Sequence, residues 1–108
     1  MKPVTWLGDS LQRLREFPAS ASHIAGYQLE RVQSGREPKD WKPMPIVGLG
    51  VSEIRVRTGE EFRVFYIANF AEAVYVLHAF QKKSQKTAQR DIDLARARYR
   101  LAKELDEE

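Results

Sequence analysis

The sequence predicts an α+β fold with two N-terminal helices, a three- to four-stranded antiparallel sheet and a C-terminal helix. With 108 residues, the chain is long enough for one hydrophobic core but too short for a second one. Apolar residues recur at helical spacing before residue 36 and again after residue 87, whereas residues 51–57 alternate between apolar and polar side chains. We therefore expect residues 1–108 to form a single domain.

The N-terminal third of the chain predicts a short strand and two helices. Residues 4–7 form an apolar strand candidate, and Asp9 or Ser10 then suits the N-cap of a first helix. A second helix begins near Pro18, a residue favoured in the first turn, and ends at Gly35. The apolar residues at helical spacing are Leu11, Leu14 and Phe17 in the first helix, and Ala21, Ile24, Ala25 and Val32 in the second.

The next segment predicts a loop followed by a half-buried strand. Three prolines between residues 37 and 45 exclude regular helix, so we expect a connecting loop with Trp41 as its anchor. Residues 51–57 then alternate as in a strand that has one buried face and one polar, basic face. The buried face holds Ile54 and Val56, and the polar face holds Glu53, Arg55 and Arg57.

The C-terminal half predicts two central strands and a last helix. Residues 62–70 and 73–80 are rich in β-branched and aromatic residues and are apolar on both faces, so we place both strands in the sheet centre. Thr87 then caps a helix over residues 88–105. Its first apolar stripe faces the sheet, and its second stripe either folds under the N-terminal helices or is exposed for a partner. The first stripe holds Ile92, Ala95, Tyr99 and Ala102, and the second holds Leu94, Leu101 and Leu105.

Composition and charge exclude several classes of protein. The chain is 43% hydrophobic and 31% charged, as in ordinary globular proteins. No segment approaches the roughly 18 apolar residues that span a bilayer, and no secretory signal is visible, so we expect a cytoplasmic protein with no membrane partner. Cysteine is absent, and we expect no metal and no cofactor. The net charge of +3, with Lys and Arg concentrated in residues 81–100, favours a polyanionic partner.

A group of cations is the main chemical feature of the sequence. The chain contains no glycine-rich phosphate loop, GxSxG elbow, metal-spaced His/Glu set or EF-hand loop. Cations on neighbouring strands can meet at one edge of an antiparallel sheet and bind phosphates, although charge runs are more often simply solvated surface. The cations are Arg55, Arg57, Arg63, Lys82, Lys83 and Lys86. We expect Arg63, Lys82 and Lys83 to be exposed.

Three segments of the chain resemble the phage-derived branch of the RelE/HigB toxin superfamily. They are VSEIR at 51–55, FRVFY at 62–66 and VLHAFQKKSQKT at 76–87, and the last of them, directly before the final helix, is the most specific. The resemblance covers about the C-terminal two thirds of the chain. It implies a RelE-like fold, a cognate antitoxin of the helix-turn-helix type, and cleavage of messenger RNA on the ribosome without a metal.

The resemblance also implies a reaction and residues that carry it. A ribose 2′-hydroxyl attacks its own 3′-phosphate, which requires a base, cations on the phosphorane and an acid at the leaving oxygen. By position, Arg55 and Arg63 match the strand cations of the family and would hold the phosphate. Lys82 or Lys83 matches the cation at the end of the last strand. We further expect Arg57, Lys86 and Arg90 to contact RNA. Independently of the resemblance, the second stripe of the last helix, Leu94, Leu101 and Leu105, predicts a contact with the antitoxin or with a second copy of the chain.

The chain departs from the better-known RelE pattern in its proton-transfer groups. Ser84 and Thr87 stand in the region where some relatives have a tyrosine. Arginine hardly deprotonates, so Arg55 is a poor base and a lysine or an acid must take the proton. Glu53, on the same strand face, is either that base or an ion-pair partner that orients Arg55. His78 has suitable acid–base chemistry, but its apolar strand favours a buried, hydrogen-bonded histidine.

A second class of function is compatible with the same fold. The chain would then bind rather than cut, either as a gyrase poison like the related ParE toxins or as a phage-derived interaction protein. ParE-like toxins generally lack the full set of cations. The presence of Arg55, Arg63, Lys82 and Lys83 together therefore favours the nuclease.

Overall fold

The structure, a computed structural model, describes residues 1–107. Within this range the chain folds into three helices and five strands. No helix in this range is both long and apolar enough to cross a membrane. The α+β class, with two N-terminal helices and a C-terminal helix around a sheet, is confirmed. In chain order the elements are β1 (Val4–Trp6), α1 (Ser10–Arg15), α2 (Ala19–Gln33), β2 (Trp41–Pro43), β3 (Val51–Arg57), β4 (Glu61–Ile67), β5 (Val74–Lys82) and α3 (Gln89–Glu107).

The strands form one sheet in the order β1-β5-β4-β3-β2. The pairs β2·β3, β3·β4 and β4·β5 are antiparallel, and β1 pairs with β5 in parallel. β4 and β5 lie inside the sheet, as their two apolar faces predicted, because a strand that is covered on both sides needs apolar residues at every position. The antiparallel register from β2 to β5 sets which side chains of these four strands share a face.

The sheet has more strands than the three to four that the sequence predicted, because two three-residue strands extend its edges. Residues 4–6 add β1, and residues 41–43 add β2 within the segment that was predicted to be only a loop. Pro43 fits there because an edge strand leaves one row of backbone N–H groups unpaired, so a residue without an N–H is tolerated. Trp41 begins β2, pairs with Ile54 and is half-buried.

Each face of the sheet carries its own helices and its own cluster of buried apolar residues, so the single core expected from the chain length is divided into two by the sheet. α1 and α2 cover the first face, where Ile54 and Val56 are buried as predicted. α3 covers the apolar part of the second face. Ile24 was predicted to lie in the buried stripe of α2 but is 36% exposed, because Ala21, Ala25, Leu29 and Val32 complete the buried face without it.

Hydrogen bonds from Arg98 tie α3 to β5 and to the start of α1. Arg98 donates to the backbone oxygen of Leu77 over 3.0 Å and to Asp9 Oδ1 over 2.6 Å. Asp9 was considered as an N-cap of α1, and it occupies that position without a side-chain capping hydrogen bond. Its carboxylate pairs with Arg98 instead, and the hydrogen bond from Arg98 holds the pKa of Asp9 below its ordinary value, against the opposing effect of burial. The predicted cap at Thr87 is displaced by one residue, because the carbonyl of Ala88 accepts the first helical hydrogen bonds.

Candidate functional site

Four adjacent strands place charged side chains on the second face of the sheet. Lys42 of β2 lies opposite Glu53 of β3, and Arg55 lies opposite Arg63 of β4. Since residues two apart on a strand share a face, Glu61 of β4 lies on the same face as Arg63. Lys82 of β5 lies opposite Glu61 and belongs to this face as well. α3 covers only the apolar part of this face, so the charged part lies beyond the helix. We call this group the charged cluster, and it consists of Lys42, Glu53, Arg55, Glu61, Arg63 and Lys82.

Glu53 holds the two arginines of the cluster. It is 2% exposed, and its Oε1 lies 3.0 Å from Arg55 Nε and 3.5 Å from Arg63 Nε. Of the two roles considered for Glu53, the structure shows the ion pair with Arg55. Because this carboxylate is buried between two guanidinium groups, it fixes the direction in which Arg55 points.

Arg63 is buried, whereas the sequence predicted an exposed cation. It is 3% exposed, donates to Glu61 Oε1 over 2.9 Å and to the backbone oxygen of Phe62 over 3.0 Å, and leaves its Nε without a hydrogen bond. The central position of β4 explains the burial, since strands on both sides enclose its side chains. Glu53 and Glu61 compensate the buried charge, as a buried guanidinium requires. The substitution Arg63→Ala therefore tests stability as well as function.

Lys82 ends β5 as a half-buried cation. Burial lowers the pKa of its ammonium group, and the nearby positive charges of Arg63, Lys42 and Arg55 lower it further, against the opposing effect of Glu53. Among residues 1–107, Lys82 forms no ion pair, because Glu61 opposite it pairs with Arg57 and Arg63. Its amine is thus easier to deprotonate than an ordinary lysine and free to meet a ligand.

Lys42 is a member of the cluster that the sequence analysis missed. It is exposed and lies on the edge strand β2. The surrounding prolines predicted a loop, and a side chain in a loop has no defined face. The segment Trp41-Lys42-Pro43 does alternate in polarity, but three residues are too few to identify a strand by periodicity.

The remaining predicted cations surround the cluster. Lys83 lines an open cavity of about 500 Å³ together with Arg63 and Lys82. Lys86 follows in the same exposed loop, and the exposed Arg57 pairs with Asp40 at 3.3 Å and with Glu61. Arg90, in the first turn of α3, lines a separate cavity with Lys83. The structure therefore brings Arg55, Arg63, Lys82 and Lys83 together, with Arg57, Lys86 and Arg90 at the periphery.

A comparison with protein families identifies the chain by its sequence. The family model described as Phage derived protein Gp49-like (DUF891) matches residues 12–100, a range that contains the whole charged cluster. The chain belongs to this family. The Gp49-like family is associated with the RelE/HigB-type toxins, so the resemblance is confirmed at the level of the family, without a specific assignment to HigB. A search of curated proteins finds no match.

In this Gp49-like protein, His78 is fully buried. It has no exposed surface, its Nε2 lies 2.8 Å from Asp91 Oδ1, and its ring stacks on Phe80. Its Nδ1 is buried without a hydrogen-bond partner. Burial lowers the pKa of His78, and the hydrogen bond to Asp91 opposes the shift. Because substrate cannot reach this ring, we leave His78 out of the proposed reaction.

The pH dependence of stability tests this description of His78. As the pH falls from 7 to 5, the unfolded chain binds a proton near the ordinary histidine pKa of about 6.5, whereas folded His78 resists protonation. The free energy of unfolding therefore falls as the pH drops through this window, until the lower folded pKa is reached. We expect the melting temperature of wild type to decrease more steeply over this range than that of His78→Gln. His23→Gln, at an exposed position, is the control, and equal slopes for wild type and His78→Gln contradict the assignment.

The three leucines that were predicted to contact a partner differ in their exposure in the Gp49-like fold. Leu101 is 44% exposed and Leu105 is 37% exposed, whereas Leu94 is half-buried. Ile92, Ala95 and Ala102 already fill the buried side of α3. Packing of Leu101 and Leu105 under the N-terminal helices, one of the two alternatives, is therefore wrong.

Proposed function

We propose that this Gp49-like chain is the toxin of a type II toxin–antitoxin system and cleaves messenger RNA on the ribosome. The supporting observation is the charged cluster, in which four adjacent strands place cations on one face beside a lysine with a lowered pKa. Neighbouring strands lie about 4.8 Å apart, so the cations from β2 to β5 extend over roughly 14 Å. This row can meet more than one phosphate of a single strand of RNA.

The proposed reaction uses side chains of this protein, the RNA itself and solvent. The neutral amine of Lys82 takes the proton of a ribose 2′-hydroxyl, and the 2′-oxygen forms a bond to the adjacent phosphorus. The bond from phosphorus to the 5′-oxygen breaks, and that oxygen takes up a proton from solvent or from a neighbouring ammonium group. The products are a 2′,3′-cyclic phosphate and a 5′-hydroxyl end.

The cations around Lys82 stabilise the charge that develops on the phosphorane. Arg55 is 24% exposed and is aimed by its ion pair with Glu53, so its guanidinium does not have to reorganise during the reaction. Arg63 is held behind it by Glu53 and Glu61, and its charge favours the neutral amine of Lys82. Lys42 and Lys83, both exposed, bind phosphates on either side of the reacting one.

Induced expression of the chain in a bacterial host tests the proposed function. We expect growth arrest together with new 5′-hydroxyl ends inside translated messages, because cleavage by a 2′-hydroxyl leaves this end. Mapping the 5′ ends of transcripts before and after induction is the measurement. Normal growth with full-length protein present contradicts the proposal. Arrest with DNA breaks and unchanged transcripts favours a gyrase poison instead.

We further propose that Leu101 and Leu105 contact the antitoxin. Changing both to Ser is expected to leave the free energy of unfolding within about 1 kcal/mol of wild type, since surface substitutions typically change it by about 0.5 kcal/mol each. Binding to the antitoxin is expected to weaken because exposed apolar patches mark protein contacts. The measurement is co-purification with the helix-turn-helix protein of the adjacent reading frame, with the exposed Glu104→Ser as control. Undiminished binding, or a collapsed melting temperature, contradicts this assignment.

A further inference from the structure

A second cavity, of about 280 Å³, lies on the other side of the connection from β5 to α3. Its walls come from the end of α1, from Gln81 and Lys83, and from the first turn of α3. Lys83 lines both this cavity and the larger one beside the charged cluster. The two cavities are therefore neighbours, separated by one exposed lysine.

The pairing of β1 explains why this cavity exists. β1 pairs only with residues 74–76 of β5, so within residues 1–107 the rest of that edge of β5 has no partner strand. α1 lies on one side of this free edge and α3 on the other, and the gap between them stays open. Phe17 and Phe62 close the bottom of the gap, and because each is less than 10% exposed they present only a small apolar surface to it.

The walls of the cavity carry charges of both signs. Arg13, Lys83 and Arg90 are exposed cations, and Arg13 has one ion-pair contact, with Asp9 at 3.3 Å. Glu16 and Asp91 are the carboxylates, and Asp91 already accepts a hydrogen bond from His78. A bare phosphate would suit the cations but not the carboxylates. A nucleotide suits both, because its phosphate binds the cations and the exocyclic amino groups of bases donate to carboxylates.

We propose that this cavity binds one nucleotide of the RNA, adjoining the nucleotides held at the charged cluster; the inference rests on the proposed function. Lys83 lies between the two positions and contacts the phosphate that connects them. At about 280 Å³ the cavity lies just below the usual range of small-molecule sites, roughly 300–1,000 Å³, so it has room for one nucleotide at most. Arg13 and Arg90 bind the outer phosphate of that nucleotide.

Binding of uncleavable RNA tests the proposal. The probes are a trinucleotide and a hexanucleotide of 2′-O-methyl RNA, which has no free 2′-hydroxyl for the reaction, and affinity is read from fluorescence anisotropy. We expect Arg13→Ala and Arg90→Ala each to weaken hexanucleotide binding about tenfold, as expected for a lost charge-assisted contact. The slope of log affinity against log salt should also fall by roughly 0.7 for each lost phosphate contact. Trinucleotide binding should stay at the wild-type value.

Matched variants separate this proposal from the proposed function. Arg15→Ala and Arg100→Ala remove an exposed arginine from α1 and α3 outside the cavity, and both should bind the hexanucleotide like wild type. Lys42→Ala should weaken binding of both probes, because the exposed Lys42 holds a phosphate at the charged cluster. If Lys42→Ala weakens binding while Arg13→Ala and Arg90→Ala do not, the nucleotide site is wrong and the proposed function stands. If Arg13→Ala and Arg90→Ala weaken hexanucleotide binding while Lys42→Ala binds both probes as wild type does, the charged cluster does not hold the RNA and the proposed function is wrong. If wild type binds neither probe, the nucleotide site is wrong, and the expression experiment decides the proposed cleavage on the ribosome.

Discussion

Replacing Lys82 with alanine is expected to slow RNA cleavage by about 100-fold or more, and to abolish growth arrest on expression. A positioned general base typically contributes at least that factor, and the cationic form of the same group also stabilises the phosphorane. Folding should change little, because within residues 1–107 Lys82 forms no ion pair and its side chain is only half-buried. The measurements are the cleavage rate of a ribosome-bound message and the melting temperature. Lys103→Ala, which removes a lysine far along α3, is the control.

The variant Lys82→Arg distinguishes a base from a fixed charge. Arginine keeps the positive charge but hardly deprotonates, so it should not restore cleavage if Lys82 takes the proton. In wild type the rate should rise with pH towards the pKa of Lys82, which lies below that of an ordinary lysine. This rise should be absent from Lys82→Arg. Wild-type cleavage by Lys82→Arg would show that Lys82 acts only as a cation.

Replacing Glu53 with alanine is expected to give the largest loss of stability, about 3–5 kcal/mol. The carboxylate is buried, and its removal leaves the 3%-exposed Arg63 with only Glu61 and leaves Arg55 unpaired. Removing one partner of a buried ion pair leaves an uncompensated charge, which costs about this much. For a domain of this size the melting temperature should fall by roughly 12 °C or more.

A double variant shows whether the loss comes from the unpaired charge. Glu53→Leu combined with Arg63→Met removes both buried charges and keeps the volume apolar, so it should recover most of the lost stability. The exposed Glu104→Ala is the control for the loss of a carboxylate alone. If Glu53→Ala has the same melting temperature as wild type, the stabilising role of the buried ion pairs of Glu53 is contradicted. The double variant should regain stability but should not cleave RNA like wild type, since Arg55 is then no longer held in place.

The strands β3, β4 and β5 could be predicted because seven or more residues in each carry a clear pattern. β3 alternates, and β4 and β5 are apolar on both faces, so the place of β4 and β5 inside the sheet followed from burial, although the order of the strands did not. β1 and β2 have three residues each and are too short to show a period. These two strands form by pairing with the longer strands β5 and β3, so their own three residues do not reveal that they are strands.

The charged cluster could be predicted as a group, but the environment of its members could not. Alternation on β3 placed Glu53 and Arg55 on one face, and the structure confirms it. The burial of Arg63 depends on Glu61, two residues away on the same strand, and on Glu53 of β3, which only the register brings within reach. Lys42 was missed for the same reason, because its face is defined only by its pairing with β3.

The parallel pairing of β1 with β5 also determines when the fold can form during synthesis. Val4 pairs with Val74, so the first strand waits for a partner that is made 70 residues later. Contacts between such distant residues form late, since the intervening chain must first be closed into a loop. Lys82 is the last residue of β5, so a nascent chain carries an incomplete cluster until residue 82 has been added. Any truncated product that ends before residue 82 therefore lacks the group to which we assign the proton transfer.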